Sequence, residues 1–199
     1  SLEINTLNQL PKKSRFCEHS YDRNKRISGQ VITSRNGKFV FVSKNLGESW
    51  DSMEHNEFFS VSNTFLTRNN RMLISGRDSK DNTKFRISVV EGREVISSCI
   101  VGDFGWHGTY SIDEGDGCIM YAEYPSNKSA DKNKFSSKIL RSTDGGLSWM
   151  SVFEIGYPEI RHFHTCTAIP NREGNWIVTS GDTPSQSRFW ISEDNGENW

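Results

Sequence analysis

Four segments of this 199-residue chain hold most of the side chains that could do chemistry: Gly102-Asp-Phe-Gly-Trp-His107, the stretch from Pro125 to Phe135, Ile155-Gly-Tyr-Pro-Glu-Ile-Arg-His-Phe-His164, and Gly181-Asp-Thr-Pro-Ser-Gln-Ser187. His107 and His164 are candidate general acids or bases, because an imidazole titrates near neutral pH. Asp182 and Glu159 are candidates for a second acid/base or a nucleophile. Arg161 can pair with a carboxylate through its planar guanidinium fork. His162 precedes His164 by two, so on an extended strand the two share a side. Tyr157, Trp106 and Phe163 offer aromatic faces for stacking, and Asp103 belongs to the same polar set. Together these groups suit a pocket for an acidic or hydroxylated sugar. Two histidines do not by themselves make a metal site, so the sequence implies no metal and no cofactor.

What must position them is written in a repeat. Ser43-Lys-Asn-Leu-Gly-Glu-Ser-Trp50, Ser142-Thr-Asp-Gly-Gly-Leu-Ser-Trp149 and Ser192-Glu-Asp-Asn-Gly-Glu-Asn-Trp199 share Ser first, Asp or Asn third, Gly fifth and Trp eighth. The last two start 50 residues apart and the first two 99, so one copy is skipped. Ser88, Gly92 and Val95 keep its frame with Val90 in place of the Asp, which gives spacings of 45, 54 and 50. A period of this length marks a propeller or solenoid. Asp144 and Asp194 are expected to accept hydrogen bonds from backbone N–H groups two residues on. Gly146 and Gly196 are expected to supply positive φ, and Trp149 to bury its indole between sheets. The octapeptide Asp residues are therefore read as turn-formers and not as catalysts.

The octapeptides resemble the Asp-box (BNR) repeat, Ser/Thr-x-Asp-x-Gly-x-x-Trp, completely at 142–149 and 192–199 and with Asn45 for Asp at 43–50. The resemblance implies an all-β, sialidase-like β-propeller of four-stranded antiparallel blades, with each box between the third and fourth strands. It suggests a tail over 1–13 and blades near 14–55, 56–101, 102–154 and 155–199. The last octapeptide ends at Trp199 and leaves the fourth blade without its outer strand. The expectation is a single domain, incomplete at its C-terminus and part of a six- or seven-bladed propeller. Lys25-Arg-Ile-Ser28 matches the carboxylate-clamping segment of sialidases at Arg26 and Ile27 but lacks its Pro. By resemblance alone, Arg26 is a candidate substrate-binding residue.

Antiparallel hairpins alternate between two ends of a sheet. The four chemically rich segments should therefore share the end opposite the octapeptides, where loops on a rigid scaffold usually carry sites. The function expected is processing of an acidic glycan by a hydrolase-like enzyme, with a non-catalytic glycan- or protein-binding propeller as the alternative; a metal-assisted polysaccharide lyase is a third option and would require a third ligand beside His107 and His164. Two carboxylates facing one another across a pocket would favour the hydrolase.

Composition fits this reading. Net charge is −1, which gives no electrostatic case for nucleic acid. No apolar run approaches the length needed to insert in a membrane. Cys17, Cys99, Cys118 and Cys166 show no C-x-x-C spacing and read as small buried thiols. No stretch carries a helical period.

Overall fold

The computed structural model describes residues 2–12, 15–19, 32–45, 47–103, 105, 111–125 and 136–199. These residues form strands and turns, without an α-helix. The sixteen strands make four antiparallel sheets, and the chain divides into two compact units, 1–104 and 105–199.

In the first unit, β1 (Ile4–Leu7), β2 (Arg15–His19), β3 (Ile32–Asn36), β4 (Phe39–Ser43) and β5 (Trp50–Glu54) form one sheet in the order β1-β5-β4-β3-β2. The expected tail over 1–13 is thus corrected in part: residues 4–7 pair with the outer strand β5, Ile4 opposite Met53 and Leu7 opposite Trp50. Ile4 and Leu7, three residues apart and so on opposite faces of the strand, are each half-buried, and Ile4 packs against the core. Asn36-Gly37 is a favoured hairpin dipeptide and turns β3 into β4, with Gly37 at φ 60°. The second sheet is a meander of β6 (Phe58–Leu66), β7 (Met72–Asp78), β8 (Lys84–Glu91) and β9 (Glu94–Asp103). Val40, Met53, Phe58, Val61, Met72, Ile74 and Val90 form the core between these two sheets.

The second unit repeats the plan. β10 (Ile112–Gly115), β11 (Cys118–Ala122), β12 (Ser136–Ser142) and β13 (Met150–Gly156) form one meander, and β14 (Phe163–Ala168), β15 (Trp176–Ser180) and β16 (Arg188–Ser192) another. Met120, Ile139, Phe163, Cys166, Trp176 and Val178 pack between them. A Cβ on Gly115 would come within 2.6 Å of the Ala168 Cβ, so the sheets approach too closely there for any side chain. Cys118 and Cys166 are buried free thiols, as expected, and burial pushes the Cys118 thiol up to about 11.

Each octapeptide closes in the same way. The Gly N–H at the fifth position donates to the Ser hydroxyl at 2.8 Å in all three, for Gly47, Gly146 and Gly196. That hydroxyl donates in turn to Asn45, Asp144 or Asp194 at 2.8–2.9 Å. The third-position side chain also accepts a backbone N–H, but from four residues on: Ser49, Ser148 and Asn198 at 2.9–3.0 Å. This corrects the expected two-residue reach. The N–H two residues on belongs to the fifth-position Gly, and the Ser hydroxyl has already taken it. Gly146 and Gly196 have φ of 90° and 83°, as expected. Trp50 is buried, but Trp149 is only half-buried and donates its indole N–H to the Gly146 carbonyl at 3.1 Å. The degenerate copy has become a tight β8–β9 hairpin through Gly92 at φ 61°, with Val90 buried in the core.

Asn45 accepts the same two bonds on Oδ1 as Asp144 does without a charge, and only its contact with Ser49 reverses direction, so the turn needs the side chain's shape and oxygen. Burial acts to raise the Asp144 carboxyl, but hydrogen bonds from Ser148 and Ser142 outweigh it and hold the group below its ordinary 3.8. A carboxyl lowered by folding stabilises the folded state above its unfolded value, and that stabilisation is lost as pH falls through the folded value. Chemical denaturation should find Asp144→Asn within about 0.5 kcal/mol of wild type at neutral pH, with a flatter loss of stability below about pH 4. Ser142→Ala strands a buried Gly146 N–H and should cost about 1–3 kcal/mol.

Candidate functional site

The site of the second unit grows from a bulge. Phe163 pairs with Ser180 and Thr165 with Thr179, which leaves His164 as an extra residue in β14. In a regular strand Phe163 and Cys166 would face opposite ways. The bulge lets both enter the same core, each fully buried, and re-aims His164. Two further contacts hold the surrounding loops. The Phe163 N–H donates to the Glu123 carbonyl at 3.2 Å, which brings the residue after Glu123, Tyr124, up to the start of β14. Gln186 Nε2 donates to the Pro158 carbonyl at 3.2 Å, which ties loop 181–187 to loop 157–162.

The register puts this cluster at the end opposite the octapeptides, as expected. Gly156 lies across from Ser136, at the far end of the hairpin from Ser142, and Ser180 lies at the far end of β15 from the Trp176–Ser192 pair.

Four of the expected residues converge here. Asp182 accepts from Arg161 Nη1 on Oδ2 at 3.0 Å. His164 Nε2 lies 3.4 Å from its Oδ1, and His162 Nε2 lies 3.2 Å from its Oδ2. Asp182 adopts φ 92°, a left-handed conformation that side chains rarely take. His162 is almost completely buried, and neither ring nitrogen has a hydrogen-bond partner; its approach to Asp182 lacks hydrogen-bond alignment. Burial pushes His162 down to about 4, with the Asp182 charge only partly opposing it, so the ring is neutral at pH 7. His164 and Arg161 are open to solvent, with side chains 37% and 51% exposed.

Tyr124 completes the group. Its ring stacks on His162 at 3.5 Å between centroids and meets His164 edge-on at 5.5 Å. Burial, then the Asp182 charge, raises its phenol. Tyr124 reads from sequence as one more apolar residue of a β-strand, and nothing local distinguishes it. Gly181 was also missed: a Cβ there would sit 3.2 Å from His164 Nε2.

The other candidates stand elsewhere. Glu159 pairs with Arg188 at 3.0 Å and not with the histidines. Tyr157 is exposed on the incoming loop. Asp103 ends β9 in the first unit, where Lys84 Nζ takes its carboxylate at 2.6 Å. Phe163 is a core residue and cannot stack on a ligand. His107, Trp106 and Arg26 lie outside the described residues. The first unit also holds a cavity of about 730 Å³. Its lining is chiefly apolar (Leu7, Phe39, Phe41, Phe58, Phe59), and Lys38 is paired there with Glu54. It offers no acid–base pair.

No protein-family model matches the chain, and comparison with the curated proteins gave no match. The case for function therefore rests on the cluster.

A non-glycine residue held at φ 92° stores backbone strain. Asp182→Gly and Asp182→Ala both remove the carboxylate, but only Gly relieves the strain. Urea unfolding should find the Gly variant more stable than the Ala variant by about 1 kcal/mol.

Proposed function

We propose that this protein is a carbohydrate-active member of the Asp-box propellers, that its four sheets are blades, and that it acts on an acidic glycan at the Arg161–His164–Asp182 cluster. The observation that carries this reading is the convergence of Arg161, His164, Asp182 and Tyr124 at the loop end of the sheets. Three octapeptides with identical hydrogen bonding support the family likeness.

Each group has a part. Arg161 spends one nitrogen on Asp182 and remains half-exposed, so its other N–H donors can grip a uronate or sialate carboxylate. His164 is the cluster's solvent-reached imidazole, and Asp182 beside its Nε2 orients the ring. Tyr124 walls the site.

A specific observation favours the alternative of binding without turnover. Asp182 and Glu159 are each occupied by an arginine, Arg161 and Arg188. Neither stands as a free partner in the facing carboxylate pair that glycoside hydrolysis ordinarily uses. If turnover occurs, His164 carries it.

A panel of uronate- and sialate-containing oligosaccharides, assayed for binding and for cleavage, separates these readings. Arg161→Ala should weaken binding by about tenfold or more. His164→Ala should abolish cleavage and leave binding within about threefold, since the carboxylate contact is untouched. Binding by Arg161→Ala equal to wild type, or preference for neutral glycans, would refute the proposal.

A further inference from the structure

We infer that His162, His164 and Asp182 form a binding site for a divalent transition metal ion of the Zn²⁺ class, with at least one coordination position left open. The inference goes beyond the glycan reading and does not rest on it.

Two spacings among these groups match those between the ligand atoms of a zinc ion. Zinc sits about 2.0–2.2 Å from His nitrogen and carboxylate oxygen, so the ligand atoms of a tetrahedral site stand about 3.3–3.5 Å apart. His162 Nε2 to Asp182 Oδ2 is 3.2 Å and His164 Nε2 to Asp182 Oδ1 is 3.4 Å. One ligand atom from each residue can be chosen so that all three lie within 4.8 Å of one another. His164, half-exposed, can swing to close the set.

A second observation is independent of those distances. His162 is buried with both ring nitrogens unpartnered. A buried polar group without a partner costs about 1–3 kcal/mol, and native proteins rarely leave one so. A metal ion on Nε2 would satisfy that nitrogen.

The surroundings suit such a centre. Tyr124, stacked on His162, fixes the ring plane. Arg161 donates one N–H to Asp182 and orients the carboxylate, as outer groups orient a ligating one. Gly181 keeps space clear beside His164 Nε2. A pair of imidazoles with one carboxylate suits a borderline ion better than Ca²⁺ or Mg²⁺, which take oxygen ligands. Three protein ligands are the pattern of zinc sites that keep a position for water or substrate. Once ligated, His164 no longer serves as acid or base.

The test uses the whole chain, free of any affinity tag, stripped with a chelator and titrated with Zn²⁺ and with Co²⁺. The expected result is one ion per chain by calorimetry and the visible absorption of four- or five-coordinate Co²⁺. Asp182→Asn and His164→Ala should each weaken binding by about tenfold or more. His164 is half-exposed and its removal leaves the core intact; circular dichroism verifies that the variant is folded. Absence of binding would overturn the assignment, and so would zinc binding that both variants retain at full strength. No sugar enters the titration, so its failure and the failure of the glycan reading are separate results.

Discussion

A single hydrogen bond recurs wherever this chain turns by octapeptide: a glycine N–H reaching back four residues to a serine hydroxyl at 2.8 Å. Both partners are buried at Gly146 and at Gly196. The bond fixes where the third strand of each sheet ends. Antiparallel pairing then sends the connections that follow Gly156 and Ser180 to the opposite end. The third octapeptide also binds its neighbours. Asn195 accepts the indole N–H of Trp176 at 3.1 Å, and its own N–H donates to the Gly174 carbonyl at 2.8 Å. The Asn195 carbonyl accepts from Arg141 Nη1 of the adjoining sheet at 2.7 Å. One small turn thus serves as hairpin and as fastening between the two sheets of the second unit.

The polar cluster follows from a conflict of periods. Phe163 and Cys166 must both be buried, and three residues of plain strand cannot bury both. The chain resolves this by extruding one residue, and that residue is His164. Stacking against Tyr124 and the left-handed turn at Asp182 then gather an imidazole pair and a carboxylate that packing alone would scatter. Local strain, an unpartnered buried ring and a bulge within a few residues of one another are the marks of a place that folding stability did not shape by itself.

Much of the fold was legible because it is written twice over, in period and in turn chemistry. Ser142, Asp144 and Gly146 declare their hairpin by type and spacing, and the alternation of Phe85-Arg-Ile-Ser-Val declares β8. The N-terminal strand was not legible: Ile4–Leu7 is too short and too polar to announce itself, and becomes a strand only because β5 offers it an edge. The site was legible in part. His162 and His164 do stand together, but not as alternate residues of one strand: His162 precedes β14 and the bulge re-aims His164 to meet it, with Asp182 just past the end of β15. Glu159 was misread because sequence cannot tell that Arg188 claims it first. Tyr124 was missed because a tyrosine closing an apolar strand looks like packing. Phe163 was misread because its place beside histidines hides its burial.

The first sheet carries its own selvedge. A four-strand meander ends in a bare row of backbone donors and acceptors, and such a row invites a foreign strand. Here β1 lies along β5 and occupies that row, with Thr6 Oγ1 donating to Asp51 at 3.2 Å and Leu2 and Ile4 tucked against the core. Residues that look like a loose leader are therefore a hem. The edge of the sheet thereby passes from β5 to the short, polar β1, and a short edge strand is a poor template for a neighbour.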